Sequence, residues 1–148
     1  MELIPVDESH WGYILDLRNS DSVRKECYDT NMIPMENHIA YMKKFQTNDH
    51  WHQWIISVNG KIVGHANIVD GEFGYMLDSK YRGKGYGSQL CKKIIEECKR
   101  IECNSLMAII RSNNLNSISM VENNGFKKTE TKKINNEEYV VLTKEGIS

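Results

Sequence analysis

Arg82-Gly83-Lys84-Gly85-Tyr86-Gly87 sets three glycines at alternate positions beside two cations, between a short alternating segment, Glu72 to Leu77, and an apolar-periodic helix. Glycines so spaced let the backbone bend tightly, and successive N–H groups can then converge on one anion. The helix that follows adds its unpaired first-turn amides and the positive end of its dipole. The pattern reads as a phosphate cradle. The alternative is a glycine-rich surface turn with ordinary solvated charge, and the order strand, loop, helix favours the cradle. No Gly-Lys-Ser or Gly-Lys-Thr follows four intervening residues, so this is not a nucleotide triphosphate loop. The ribose-binding acidic strand end of a dinucleotide fold is missing too.

A chain of 148 residues is long enough for a single domain, expected over 1–148, with a real core. Its net charge of −1 offers no footprint for nucleic acid. Its apolar stretches are too short to span a bilayer, and Met1-Glu2-Leu3-Ile4-Pro5 lacks the regions of a signal peptide, so a cytoplasmic protein with no membrane partner is expected. Cys27, Cys91, Cys98 and Cys103 form no Cys-x-x-Cys pair. Cys91 and Cys98 fall on one apolar helical stripe and read as small buried hydrophobes. His50-Trp51-His52 offers two imidazoles on a strand face but no third ligand, and no metal site is expected.

The elements that must position the loop can be read in order. Glu2 to Val6 is a first strand, with Pro5 favouring an edge. Asp7 or Ser9 caps a helix through about Leu17, and helical pieces follow at Val23 to Tyr28 and Met35 to Phe45. Trp51 to Val58 and Lys61 to Ile68 flank Asn59-Gly60, a hairpin signal; Asp70-Gly71 turns the chain into Glu72 to Leu77, completing an antiparallel meander. After the loop, Leu90, Cys91, Ile94, Ile95, Cys98 and Ile101 line one helical face. Leu106 to Ile110 is a buried strand parallel to the one before that helix, because the helix is its crossover. A short helix, Ser117 to Asn123, is stopped by Gly125, and Lys127 to Lys133 pairs with Glu137 to Thr143. The expected class is α/β: a mixed, mostly antiparallel central sheet with one parallel pair and helices on both faces.

Arg82 to Gly87 resembles the acetyl-CoA pyrophosphate loop of the GCN5-related N-acetyltransferase (GNAT) family. A second match, Asn114-Leu115-Asn116-Ser117-Ile118-Ser119-Met120-Val121-Glu122-Asn123-Asn124-Gly125-Phe126, resembles that family's asparagine-to-Gly-Phe segment. The resemblance implies an acetyl-CoA-dependent N-acetyltransferase whose parallel strands splay to admit pantetheine. It implies that Tyr75, Met76 and Leu77 offer backbone groups to pantetheine and thioester, that Arg82, Gly83, Lys84, Gly85, Tyr86, Gly87 and Ser88 hold the pyrophosphate, and that Asn114 contacts the pantetheine arm. Asn116 and Ser117 lie close to the cofactor and are candidate caps of the short helix. Glu72 then becomes the candidate base, acting through water, since alternation puts Gly74 and Met76 on its side of the strand; the alternative is a solvated edge charge. Where much of the family carries a tyrosine that protonates the leaving thiolate, this chain has Val121.

For the acceptor, Arg18-Asn19, Val23-Arg24-Lys25 and His38-Ile39-Ala40-Tyr41-Met42 look like the N-terminal pattern of enzymes that acetylate nucleotide-linked amino sugars, although Leu17 stands where those carry a tryptophan. Arg18 and Arg24 could pair with a diphosphate, or with carboxylates of their own chain. Asn19 belongs to the same acceptor pattern. His38 and His65 are candidates for contact with the amine, His65 also for a catalytic part, and both could equally be structural. The acceptor expected is a UDP-linked 4-amino-deoxy sugar. The alternatives are a protein N-terminus or another small amine, and a CoA-binding sensor without turnover. Open sheet edges leave monomer and homodimer both possible.

Overall fold

Tight turns at Asn59-Gly60 and Asp70-Gly71 need left-handed backbone, and all four residues adopt it, with φ between 50° and 83°. The computed structural model describes residues 1–148. Seven strands pair in the order β1-β2-β3-β4-β5-β7-β6. They span Glu2–Pro5, Trp51–Val58, Lys61–Val69, Glu72–Leu77, Leu106–Arg111, Lys127–Ile134 and Glu137–Lys144, numbered β1 to β7 in chain order. Five helices, α1 to α5, cover Trp11–Asn19, Asp21–Arg24, Met35–Thr47, Tyr86–Arg100 and Leu115–Asn123. The expected mixed sheet is present: β4 and β5 are parallel, joined by the α4 crossover, and their ladder is one register pair, Glu72 opposite Met107. Pro5 lies on an edge strand, where its missing N–H costs no ladder bond.

The chain divides into two units, one of residues 1–70 and 74–82, the other of residues 71–73 and 83–148. In the first, Ile14, Met42 and Ile55 form a core joined by Trp11, Tyr13, Phe45 and Met76. Of the two tryptophans on β2, Trp54 is buried, while Trp51 stays half-buried and donates Nε1–H to Asp70 at 3.1 Å. Gly64 on β3 faces the carbonyl of Met76 so closely that any Cβ there would overlap it. Gly64→Ala should therefore push β4 outward at Met76, destabilising the protein by about 1–3 kcal/mol, the usual cost of overpacking. Urea unfolding checks it, and an unchanged midpoint would show that β4 yields freely.

In the second unit, Leu90, Cys91, Ile94 and Cys98 form the buried face of α4, whereas Ile95 is half-buried and Ile101 lies past the helix end. Burial pushes the Cys91 thiol up to about 11 against a smaller opposing pull from Lys144, so it is an inert apolar group. Cys98 is buried as expected, but it is not a lone hydrophobe: it forms a disulfide with Cys103, closing the turn that ends α4. The five-residue spacing has no hydrophobic signature, which is why periodicity alone passed over it. Two helical boundaries also differ from expectation. Asp7 caps a short 3-10 turn, Glu8–His10, ahead of α1, and α2 ends at Arg24, where the chain leaves the helix four residues early.

Candidate active site

The glycine loop is built as its composition demands. Gly83 and Gly85 are both left-handed, at φ 74° and 77°, and a Cβ at either would meet nothing within 4 Å. Helix α4 begins two residues earlier than the glycine pattern implied, so that Tyr86 and Gly87 are helical and Gly85 is the N-cap residue. No side chain caps this helix end, and its first turn carries no acidic residue. The first-turn amides of a 15-residue helix thus lie beside exposed, side-chain-free backbone at Gly83 and Gly85. That arrangement fits a phosphate group. Lys84 is exposed. Arg82 turns back to donate Nη2–H to the Leu77 carbonyl at 3.3 Å, bracing the end of β4.

Behind the loop, Ser88 Oγ accepts from Asn124 Nδ2 at 3.4 Å, and the same Asn124 nitrogen donates to Met120 O at 2.8 Å. This tie joins the start of α4 to the end of α5 across 36 residues, a distance at which local sequence carries no signal. Asn114, rather than Asn116 or Ser117, caps α5, its Oδ1 accepting from Ser117 N at 3.2 Å. Its amide nitrogen remains as a donor. Asn116 is exposed, and Val121 is buried, so no hydroxyl stands at that position.

Glu72 opens β4, half-buried, with Gly74 and Met76 on the same side of the strand. Asn67 on β3 lies over that side: its Oδ1 is 2.9 Å from where a Gly74 Cβ would stand. Tyr75 and Met76 are half-buried and Leu77 is buried. Period-two alternation along β3 would have found Asn67, because it shares a face with His65.

His65 is 4 % exposed, and its Nε2–H donates to Gln53 Oε1 at 2.9 Å. Gln53 Nε2–H reaches Met42 Sδ at 3.6 Å. Desolvation first, and then the nearby His38, bring the His65 pKa down to about 3. The ring is a neutral member of the core. His38 is buried too, donating Nε2–H to the Trp11 carbonyl at 2.8 Å. Since the folded value for His65 lies below the unfolded 6.5, the unfolded chain takes up a proton first as pH falls. Stability is full above pH 6.5 and is lost toward pH 3, by about 1.4 kcal/mol per unit. Urea midpoints measured across that window should show this slope, and His65→Gln should flatten it.

The N-terminal quartet is drawn mostly into the chain's own structure. Asn19 clamps the Ile33 peptide with both amide atoms, Nδ2–H to Ile33 O at 3.0 Å and Oδ1 from Ile33 N at 2.8 Å. Arg24 pairs with Asp21 at 3.2 Å. Arg18 donates Nη2–H to Asp29 O at 2.6 Å, while its Nη1 is buried without a hydrogen-bond partner. The structure thus gives all four acceptor candidates, Arg18, Asn19, Arg24 and His38, partners inside the protein.

Residues 6–126 match the sequence profile of the acetyltransferase (GNAT) family. Among solved structures, the chain is similar to the ribosomal-protein-alanine N-acetyltransferase of Brucella melitensis, at 19 % identity and a TM-score of 0.83, over 98 % of this chain and 99 % of that one. It is similar to yncA of Salmonella typhimurium, solved with its cofactor acetyl-CoA, at 19 % identity and TM-score 0.83 over 98 % and 93 %. The spermidine N-acetyltransferase of Vibrio cholerae, in complex with CoA and spermine, aligns at 12 % identity and TM-score 0.89 over 98 % and 95 %. At these identities the three structures establish the shared fold, and the sequence profile carries the assignment. The chain belongs to the acetyltransferase (GNAT) family, the acyl-CoA-dependent N-acetyltransferases.

Proposed function

We propose that the protein transfers the acetyl group of acetyl-CoA to a primary amine on a small acceptor. The observation that carries this reading is the left-handed backbone at Gly83 and Gly85 opening onto the uncapped N-terminus of α4. In this reading the amides from Gly83 to Ser88 hold the cofactor's pyrophosphate, with Tyr86 and Gly87 supplying first-turn N–H groups and Arg82 and Lys84 adding positive charge. Backbone groups of Tyr75, Met76 and Leu77 hold the pantetheine arm, and the Asn114 amide nitrogen and Asn116 lie along it. When bound, the cofactor supplies an acetyl thioester. Glu72 removes the proton from the acceptor's ammonium through water, freeing the lone pair that attacks. Backbone N–H donors on β4 stabilise the charge that develops on the acyl oxygen. His65 holds Gln53 through a hydrogen bond and does not itself exchange protons near neutral pH. With Val121 apolar, the proton for the departing sulfur comes from water or another side chain.

A second reading of the acceptor, the UDP-linked 4-amino-deoxy sugar, is favoured by one observation. The buried, partnerless Arg18 Nη1 is what an incoming phosphate oxygen would satisfy. Asn19, Arg24 and His38 would then shape the wall behind it. The same proposal sets the protein in the cytoplasm. It also allows a homodimer through the edge strands β1 and β6.

Mass-resolved turnover of acetyl-CoA against amino sugar nucleotides, polyamines, simple amines and free-N-terminus peptides tests this. Acetylation of simple amines without inhibition by UDP supports the first reading, and acetylation confined to the nucleotide sugar supports the second. CoA binding with no turnover across the panel contradicts both and leaves a sensor.

A further inference from the structure

In the first unit, α1, α2 and the turn after β4 line a half-open cavity of about 180 Å³ that includes Tyr13, Asp16, Leu17, Ser20, Asp78 and Ser79. Two carboxylates and several hydroxyls face it, and no cationic side chain does. Tyr13 Oη is buried with no hydrogen-bond partner. A buried hydroxyl left this way is destabilising, so a ligand that reaches it is favoured. Burial, then the charges of Asp78 and Tyr81, push the Tyr13 hydroxyl up to about 12, so it stays protonated and offers oxygen lone pairs. Ser20 already gives its proton to Leu17 O at 2.6 Å, leaving its oxygen to accept. Asp78 Oδ1 accepts from Lys80 N at 3.2 Å, and its second oxygen remains. The charged groups on this mostly apolar lining are both carboxylates. An anion would be repelled by it, and an ammonium, with three donors and no acceptor, is its complement.

We infer that this cavity takes the second ammonium group of a diamine or polyamine whose other amine is the one acetylated. The inference rests on the acetyltransferase reading above, and it narrows the acceptor. Asp78 directly follows Leu77 at the end of β4. The backbone at Tyr75 and Met76, assigned there to the thioester, lies two to three residues back along the strand, about 7–10 Å. The acceptor is therefore a flexible chain with its two nitrogens separated by roughly that span.

The test compares kcat/KM for cadaverine and n-pentylamine, which differ by the distal ammonium, in the unmodified protein, Asp16→Asn and Tyr13→Phe. Calorimetry of cadaverine on the CoA-loaded protein runs beside it. Asp16 is exposed on α1, so Asp16→Asn should keep the fold, which circular dichroism verifies. The unmodified protein should prefer cadaverine by at least ~10-fold, the worth of one charge-assisted hydrogen bond. Both variants should lose most of that preference through a raised KM. A ratio near one in the unmodified protein, or a preference that survives both substitutions, overturns the inference. If neither amine is acetylated and cadaverine does not bind, the inference is overturned, whereas the acetyltransferase reading stands or falls on the wider acceptor panel; saturable cadaverine binding weakened by Asp16→Asn would still support the cavity as an ammonium site.

Discussion

Replacing Gly85 by aspartate should abolish acetyl-CoA binding, raising Kd by more than about 100-fold, while the protein stays folded. Gly85 is the N-cap of α4 at φ 77°, and a Cβ there meets no atom of the protein within 4 Å. Aspartate is among the residues that tolerate left-handed backbone best, and it is a good capping side chain. The loss would come from its charge, held against the amides assigned to the pyrophosphate, and from its carboxylate satisfying those amides itself. Gly85→Asn separates the two effects, since it has nearly the same shape without the charge, and it should lose distinctly less. Lys84→Ala, which removes one exposed cation and no amide, should weaken binding only a few-fold. Isothermal calorimetry with CoA ranks all three. Equal affinity in Gly85→Asp and the unmodified protein would mean that the loop does not carry the cofactor.

Glu72→Gln should lower kcat by about 10²–10⁴, the range of general base catalysis, and leave the CoA affinity within about twofold. The substitution keeps size and hydrogen-bonding shape, so the Glu72–Met107 register need not shift. Asn67 Oδ1 occupies the space over Gly74, 2.9 Å from where a Cβ would stand. A fall in affinity matching the fall in rate would assign Glu72 to holding β4 in place, and an unchanged rate would assign the proton transfer elsewhere.

Much of the scaffold around these residues is local and was legible for that reason. Asn59-Gly60 and Asp70-Gly71 encode their own left-handed turns, and the α4 stripe encodes its own buried face. The glycine loop is local too, apart from where α4 begins. Gly87 proved helical because a glycine at the second helical position looks, in sequence, like one more loop residue. What could not be read depends on partners distant in the chain. Asn19 finds the Ile33 peptide 14 residues away, and His65 finds Gln53 across β2 and β3. Both residues have types that suit a site, and burial and partners turn them to structure. The cavity at Tyr13 and Asp78 joins residues more than sixty positions apart, and no periodicity announces it.

The most direct test of the central claim is an amide chemical-shift titration of the labelled protein with CoA. The account predicts saturable shifts at the amides of Gly83, Gly85, Gly87 and Ser88, with the β6 to β7 turn at Asn135 and Asn136 unmoved. A titration in which CoA binds while those four amides stay still would contradict it.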